Sequence, residues 1–140
     1  MRKFLKLFGY IAIVTGAVLV YAWPYIVMGF AGSASYTEQD QREYRYYTPD
    51  ILKNMPRISS HYDFDYANIS GQAFQVYAIK FYGIKNKEKI DNYLSLSGYQ
   101  KQEHCHIEAV CWQGKNPKEM ITVSLFSEPD TVAVAVNQRY

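Results

Sequence analysis

The chemically capable residues of this 140-residue chain are its three histidines, its two cysteines and the acids beside them. His61, Asp63 and Asp65 alternate, so a strand there would set all three on one face. His104 and His106 alternate in a second segment, with Glu108 joining them if that strand continues. Imidazole and carboxylate together suit a divalent transition metal, provided the two segments lie side by side. The plainer reading makes both segments the wet faces of half-buried strands, with Tyr62, Phe64 and Tyr66 as the inward set. The set His104-Cys105-His106 with Cys111 matches no zinc spacing, and no metal site is assigned.

Nucleophilic catalysis needs a nucleophile, a base and an orienting group. Ser59-Ser60-His61 sets hydroxyls beside an imidazole in sequence, but adjacent residues on a strand point to opposite faces. Asp63 and Asp65 would sit about 7 Å apart on one face, a separation used in two-carboxylate glycoside hydrolysis. The domain is too small for a typical carbohydrate cleft. There is no Gly-rich phosphate loop and no CxxC. No catalytic and no cofactor-binding residue is assigned. Asn68-Ile-Ser70 matches a glycosylation acceptor, a short pattern that matters only where that machinery exists.

Cys105 and Cys111 present a geometric choice. On one continuous strand their sulfurs would lie about 20 Å apart and could not bond. If the chain turns at 106–109 they close a short loop. An oxidising compartment favours the disulfide, which is the expectation here.

What would hold these residues in place begins with a hydrophobic span. No charge occurs between Lys6 and Glu38, and Leu7 to Phe30 is apolar on every side. As a helix it would be about 36 Å long against a hydrocarbon core of about 30 Å. It has no polar face, unlike a soluble core helix. Tyr10 at one end and Tyr21, Trp23 and Tyr25 at the other fit interfacial aromatic belts. Arg2, Lys3 and Lys6 crowd the short N-terminal side, against Arg42 and Arg45 on the other, so the positive-inside rule favours a cytoplasmic N-terminus. The rival is a cleaved leader ending near Ala31-Gly-Ser-Ala-Ser35. A secretory apolar core is shorter, about 7–15 residues, which favours a retained signal-anchor. Both readings put the remainder in one compartment.

Beyond the span the charge nearly cancels. Three of the fifteen basic residues lie in the tail, leaving twelve against thirteen acids. Without a Lys/Arg block this argues against nucleic acid as a partner. Fourteen tyrosines are many for this length. They suit the faces of a β-rich domain, or alternatively an aromatic binding surface.

The expected organisation is residues 1–30 as cytoplasmic tail and transmembrane signal-anchor, 31–47 as a connector, and 48–140 as an extracytoplasmic α+β domain. Thr48-Pro49-Asp50 reads as a helix start, with Thr48 as N-cap and Pro49 in the first helical position. Pro56 ends that helix. Strands follow at 62–66 and 73–82, the latter with Phe74, Val76, Ala78 and Lys80 on one face and Tyr77, Ile79 and Phe81 on the other. Asn86 to Leu96 is a helix with Ile90, Tyr93 and Leu94 on one side and Gly98 terminating it. Strands at 99–103, 109–113, 120–127 and 131–136 complete an antiparallel sheet with one or two packed helices.

By elimination, the expected function is a non-enzymatic, membrane-anchored domain that binds another protein. Immunity-protein or envelope-accessory types share this architecture. The expected setting is the bacterial inner membrane, single-pass, with the domain in the periplasm. A metal- or ligand-binding sensor using the histidine strands is the alternative, and an envelope hydrolase using Asp63 or Asp65 ranks last.

Overall fold

The computed structural model describes residues 1–105 and 109–140. They form two compact units, Met1–Ala31 and Gly32–Tyr140.

The first unit is helix α1, Arg2–Phe30. Its 29 residues make a rod of about 44 Å. Its mean hydropathy reaches 2.0, and it is long and apolar enough to be a candidate membrane span. Tyr21 and Tyr25, one turn apart, have ring centroids 6.1 Å apart. Pro24 lies within the helix, which continues to Phe30. Ala31 then turns to extended backbone.

The second unit is a mixed α+β domain. It runs β1 (Ser33–Tyr36), α2 (Gln41–Tyr47), α3 (Asp50–Lys53), β2 (Tyr62–Ile69), β3 (Phe74–Tyr82), α4 (Glu88–Leu96), β4 (Gln100–Lys101), β5 (Val110–Gln113), β6 (Glu119–Phe126) and β7 (Thr131–Arg139). The sheet is antiparallel throughout, in the order β1-β2-β3-β7-β6-β5-β4. The segment read as a connector is thus built into the domain. Ser33–Tyr36 pairs with β2, setting Tyr36 opposite Phe64. In α2, Tyr44 and Tyr47 share a helix face at three-residue spacing.

Strict alternation sorts each strand into two faces. Phe64, Ile79, Val134 and Val123 lie in register across four strands and are all at most 2% exposed. Phe81, Val132, Val136 and Ile121 extend this buried face. Helices cover it. The Tyr47 ring of α2 stacks on Tyr66 at 4.4 Å, and Tyr44 meets Phe64 edge-on at 5.3 Å. The α4 helix buries Ile90 and Leu94 completely, and its Tyr93 hydroxyl donates to the Ile51 carbonyl of α3. Asn86 accepts a hydrogen bond from the Glu88 amide, and Gly98 leaves the helix at φ +91, a backbone conformation strained for any residue with a side chain.

Thr48 does not cap α3. The helix begins one residue later than the sequence pattern suggests, with Pro49 at the N-cap. The Thr48 hydroxyl instead meets the Tyr36 hydroxyl at 2.7 Å, both buried. A buried phenol without a partner is costly, so the tertiary bond wins over the local cap.

One polar lock ties the early segments to the sheet. Arg57 donates to Glu38 through Nη2 at 2.6 Å and Nε at 3.1 Å, and through Nη1 to the carbonyls of Leu52 and Met55. Its guanidinium lies 5.2 Å from the Tyr62 ring and 5.5 Å from Phe64, a cation–π seat. The Tyr62 hydroxyl donates to the other Glu38 oxygen at 2.7 Å. The guanidinium therefore satisfies the last carbonyls of α3 while its charge is met by one carboxylate.

Cys105 and Cys111 are joined in a disulfide, with Cα atoms 5.9 Å apart. The turn expected at 106–109 falls largely outside the described residues.

Three outcomes follow for stability. Burial alone would raise the Glu38 carboxyl, but the Tyr62 hydroxyl and Arg57 outweigh it and hold the group below its ordinary value of 4.5. A depressed folded pKa contributes stability that is complete above the unfolded value and lost as pH falls through the folded one. Urea midpoints should be level above about pH 5.5 and fall below 4.5, with a shallower fall in Glu38→Gln. Arg57→Ala, which strands the carbonyls and Glu38 together, should cost about 2–3 kcal/mol at neutral pH. Replacing both cysteines by serine opens a loop of sequence separation 6 and should cost about 2 kcal/mol in the same measurement.

Candidate functional site

The residues singled out for chemistry are placed apart and are already engaged. The Asp63 carboxylate accepts the Tyr82 hydroxyl at 3.0 and 3.1 Å. Asp65 accepts Ser35 Oγ and Lys80 Nζ, each at 2.5 Å. Burial alone would raise the Asp65 carboxyl, and its bonds to Lys80 and Ser35 pull it below the ordinary range. Asp65 is therefore not set up to be a proton donor of raised pKa, as the acid in glycoside hydrolysis must be. The Ser59 hydroxyl donates to the Tyr82 carbonyl at 2.6 Å and accepts the His61 amide, so it clips backbone and does not face the imidazole.

The two histidine-bearing segments are not neighbours. His61 precedes β2 and His104 precedes β5, and four strand spacings separate those strands, about 19 Å. Among the described residues no group of three His, Cys, Asp or Glu could hold a metal ion. His106 and Glu108 lie outside the described residues.

Three of the tyrosines belong to the core. Tyr36, Tyr47 and Tyr66 are buried, and Tyr36 stacks on Phe64 at 5.5 Å. Burial pushes the Tyr36 phenol up to about 12, with its bond to Thr48 opposing. Burial and the Glu119 carboxylate also push Tyr99 up strongly. The sheet-face reading of tyrosine describes these residues, since their rings are core and their hydroxyls are satisfied there.

The feature that stands out is the other face of the sheet. In a two-layer antiparallel domain that face is expected to be polar. Here β3 contributes Phe74, Val76, Ala78, Lys80 and Tyr82, and β7 contributes Thr131, Ala133, Ala135, Asn137 and Arg139. Beside them β6 adds Met120, Thr122, Ser124 and Phe126. The floor is Ala78, Ala133 and Ala135 with Thr122 and Ser124, a strip of small side chains across three strands. Larger apolar groups rise at its ends, among them Ile69, Met120 and Phe126, which are 43, 39 and 57% exposed. At one end lies a recess of about 310 Å³ lined by Ile69, Phe74, Val76, Met120 and Arg139. Arg139 stands 5.1 Å from the Phe74 ring.

The sequence carries a signal for this face. Thr131-Val-Ala-Val-Ala-Val136 has no polar alternation, the pattern of a strand covered on both sides. Its valines fill the core and its alanines face out. A surface with small, apolar and few charged groups, and with its acids already paired, is equipped for contact. It offers no nucleophile–base pair.

Comparison of the chain with protein-family models, with curated proteins and with solved structures finds no match.

Proposed function

We propose that this chain is a non-enzymatic, membrane-tethered protein-binding domain. In this reading α1 is retained as a single-pass signal-anchor in a bacterial inner membrane. The N-terminus is cytoplasmic and the domain periplasmic, as in immunity or envelope-accessory proteins. The observation that carries it is the half-buried Ala78/Ala133/Ala135 strip with its exposed apolar rim of Ile69, Met120 and Phe126. Exposed contiguous apolar surface marks interaction sites. The apolar character of α1 supports the tether, and the disulfide supports an oxidising compartment. Arg2, Lys3 and Lys6 support the orientation.

Full-length protein extracted in mild detergent from cells that express it should bring down a stoichiometric protein partner. The yield should fall about tenfold in Ala135→Arg, which sets a charge on the strip and costs the contact at least 1.4 kcal/mol. Recovery of no stoichiometric partner would count against the proposal. In intact spheroplasts the domain should be open to added protease.

A further inference from the structure

We propose that the outer strip seats one amphipathic α-helix of a partner protein, running antiparallel to β3. This rests on the protein-binding reading and names the form of its ligand. Three observations on the face converge on it.

The first is what the strands leave available. On β3 and β7, and on β6 from Met120 to Val123, the backbone donors and acceptors are used in ladders with neighbours on both sides. An extended peptide laid on this face would find no backbone partner, and its own amide groups would be stranded. A helix satisfies its backbone internally and needs only packing from the floor. The second is shape. Alanine, serine and threonine across the centre lower the floor, while Phe74, Met120 and Phe126 rise at its ends. From Phe74 to Tyr82 the strip is about 27 Å long, the length of about 18 helical residues.

The third is charge. At the recess end stand Arg139 and Lys118, neither in an ion pair among the described residues. Glu119 lines the same recess and keeps its charge while accepting from the Tyr99 hydroxyl and the Gln138 amide, so these three side chains sum to one positive charge. Level with the middle and far half of β3, opposite Ala78 and Lys80, stand the carboxylates of Asp65 and Asp63 against the single ammonium of Lys80. The face is therefore positive where β3 begins and negative along its middle and far half. A helix dipole is negative at its C-terminus and positive at its N-terminus. It matches this gradient in one direction only, with its C-terminal turn over Arg139 and Lys118. Acidic side chains in that last turn would be matched by the same two cations. A large apolar side chain near that end fills the recess beside Phe74.

The test places a photoreactive benzophenone amino acid at Ala135, and separately at Ser124, in the full-length chain in its own membranes. Ser33 on the β1 edge and Lys89 on α4 are the comparison positions. Products are identified by mass spectrometry of the linked peptides. The expected result is attachment from Ala135 and Ser124 to one helical segment of another protein. The double variant Arg139→Glu, Lys118→Glu should lower that yield about tenfold, and more so at low salt. Attachment to a second copy of this chain, to lipid, or to an extended segment overturns the proposal. Protein products only from Ser33 or Lys89 overturn the helix seat and leave the protein-binding reading intact. No protein product from any position overturns both. Correct disulfide formation in each variant shows that the domain has folded.

Discussion

The pairing of β3 with β7 is the constraint on which this domain rests. It joins Ala78 to Ala135 across the whole second half of the chain. On one side of that seam β1, β2 and β3 form consecutive antiparallel neighbours, and on the other β4 to β7 form a meander. Each half alone would expose a row of unpaired backbone groups. Joined, they give a seven-stranded sheet whose two central strands are sealed at both edges. The register of this one pairing decides both faces. A slip of one residue would set Ile79 and Phe81 on the opposite face from Val132 and Val134.

The N-terminal half of the sheet then needs a cover, and the cover is aromatic. Tyr44 and Tyr47 of α2 reach Phe64 and Tyr66, and Tyr36 stacks between Tyr47 and Phe64. Phenols bring hydroxyls into a core, and each must be met. Tyr36 meets Thr48, Tyr93 meets the Ile51 carbonyl, and Tyr62 meets Glu38. Glu38 in turn needs Arg57, which caps α3. The choice of tyrosine over phenylalanine thus propagates into a polar network that fixes residues 33–57 onto the sheet. These residues hold one another in place, which is why the segment after α1 is ordered structure.

That network explains what the sequence alone could and could not disclose. The alternation in Ala73–Tyr82 and the spacing of Ile90, Tyr93 and Leu94 depend only on which side is apolar, and both match the faces seen. The mixed α+β class and the disulfide were legible in the same way, from strand periods and from cysteine count. Strand β1 was not. Ser33-Ala-Ser-Tyr36 has weak strand propensity and is too short to show a period, and it becomes a strand because β2 offers an edge. Helix α2 is hidden similarly, since its seven residues show a face only once Phe64 and Tyr66 supply the other half of the contact. Thr48 looked like an N-cap because that signal is local, whereas its actual partner, Tyr36, is twelve residues away. For the candidate surface, the clue is the all-apolar run Val132–Val136, the pattern of a strand apolar on both faces.

The two sides of that run receive different treatment, and this is where fold and proposed function meet. A sheet face of apolar and small residues is stable in solution only if it stays modest in area or is occupied. The inner side is closed by the chain's own helices. The outer side keeps alanine where the inner side has valine, which limits the apolar area left in water while preserving a smooth floor. A polar residue at Ala133 or Ala135 would serve solubility better, at no cost to the core beneath. On the proposed reading, alanine there keeps the face tolerable in solvent when empty and smooth enough to fit a partner when filled. On the same reading, the excess carboxylate of Asp63 and Asp65 over Lys80 and the cations Arg139 and Lys118 at the recess would give the contact a direction, which a uniformly apolar patch would lack.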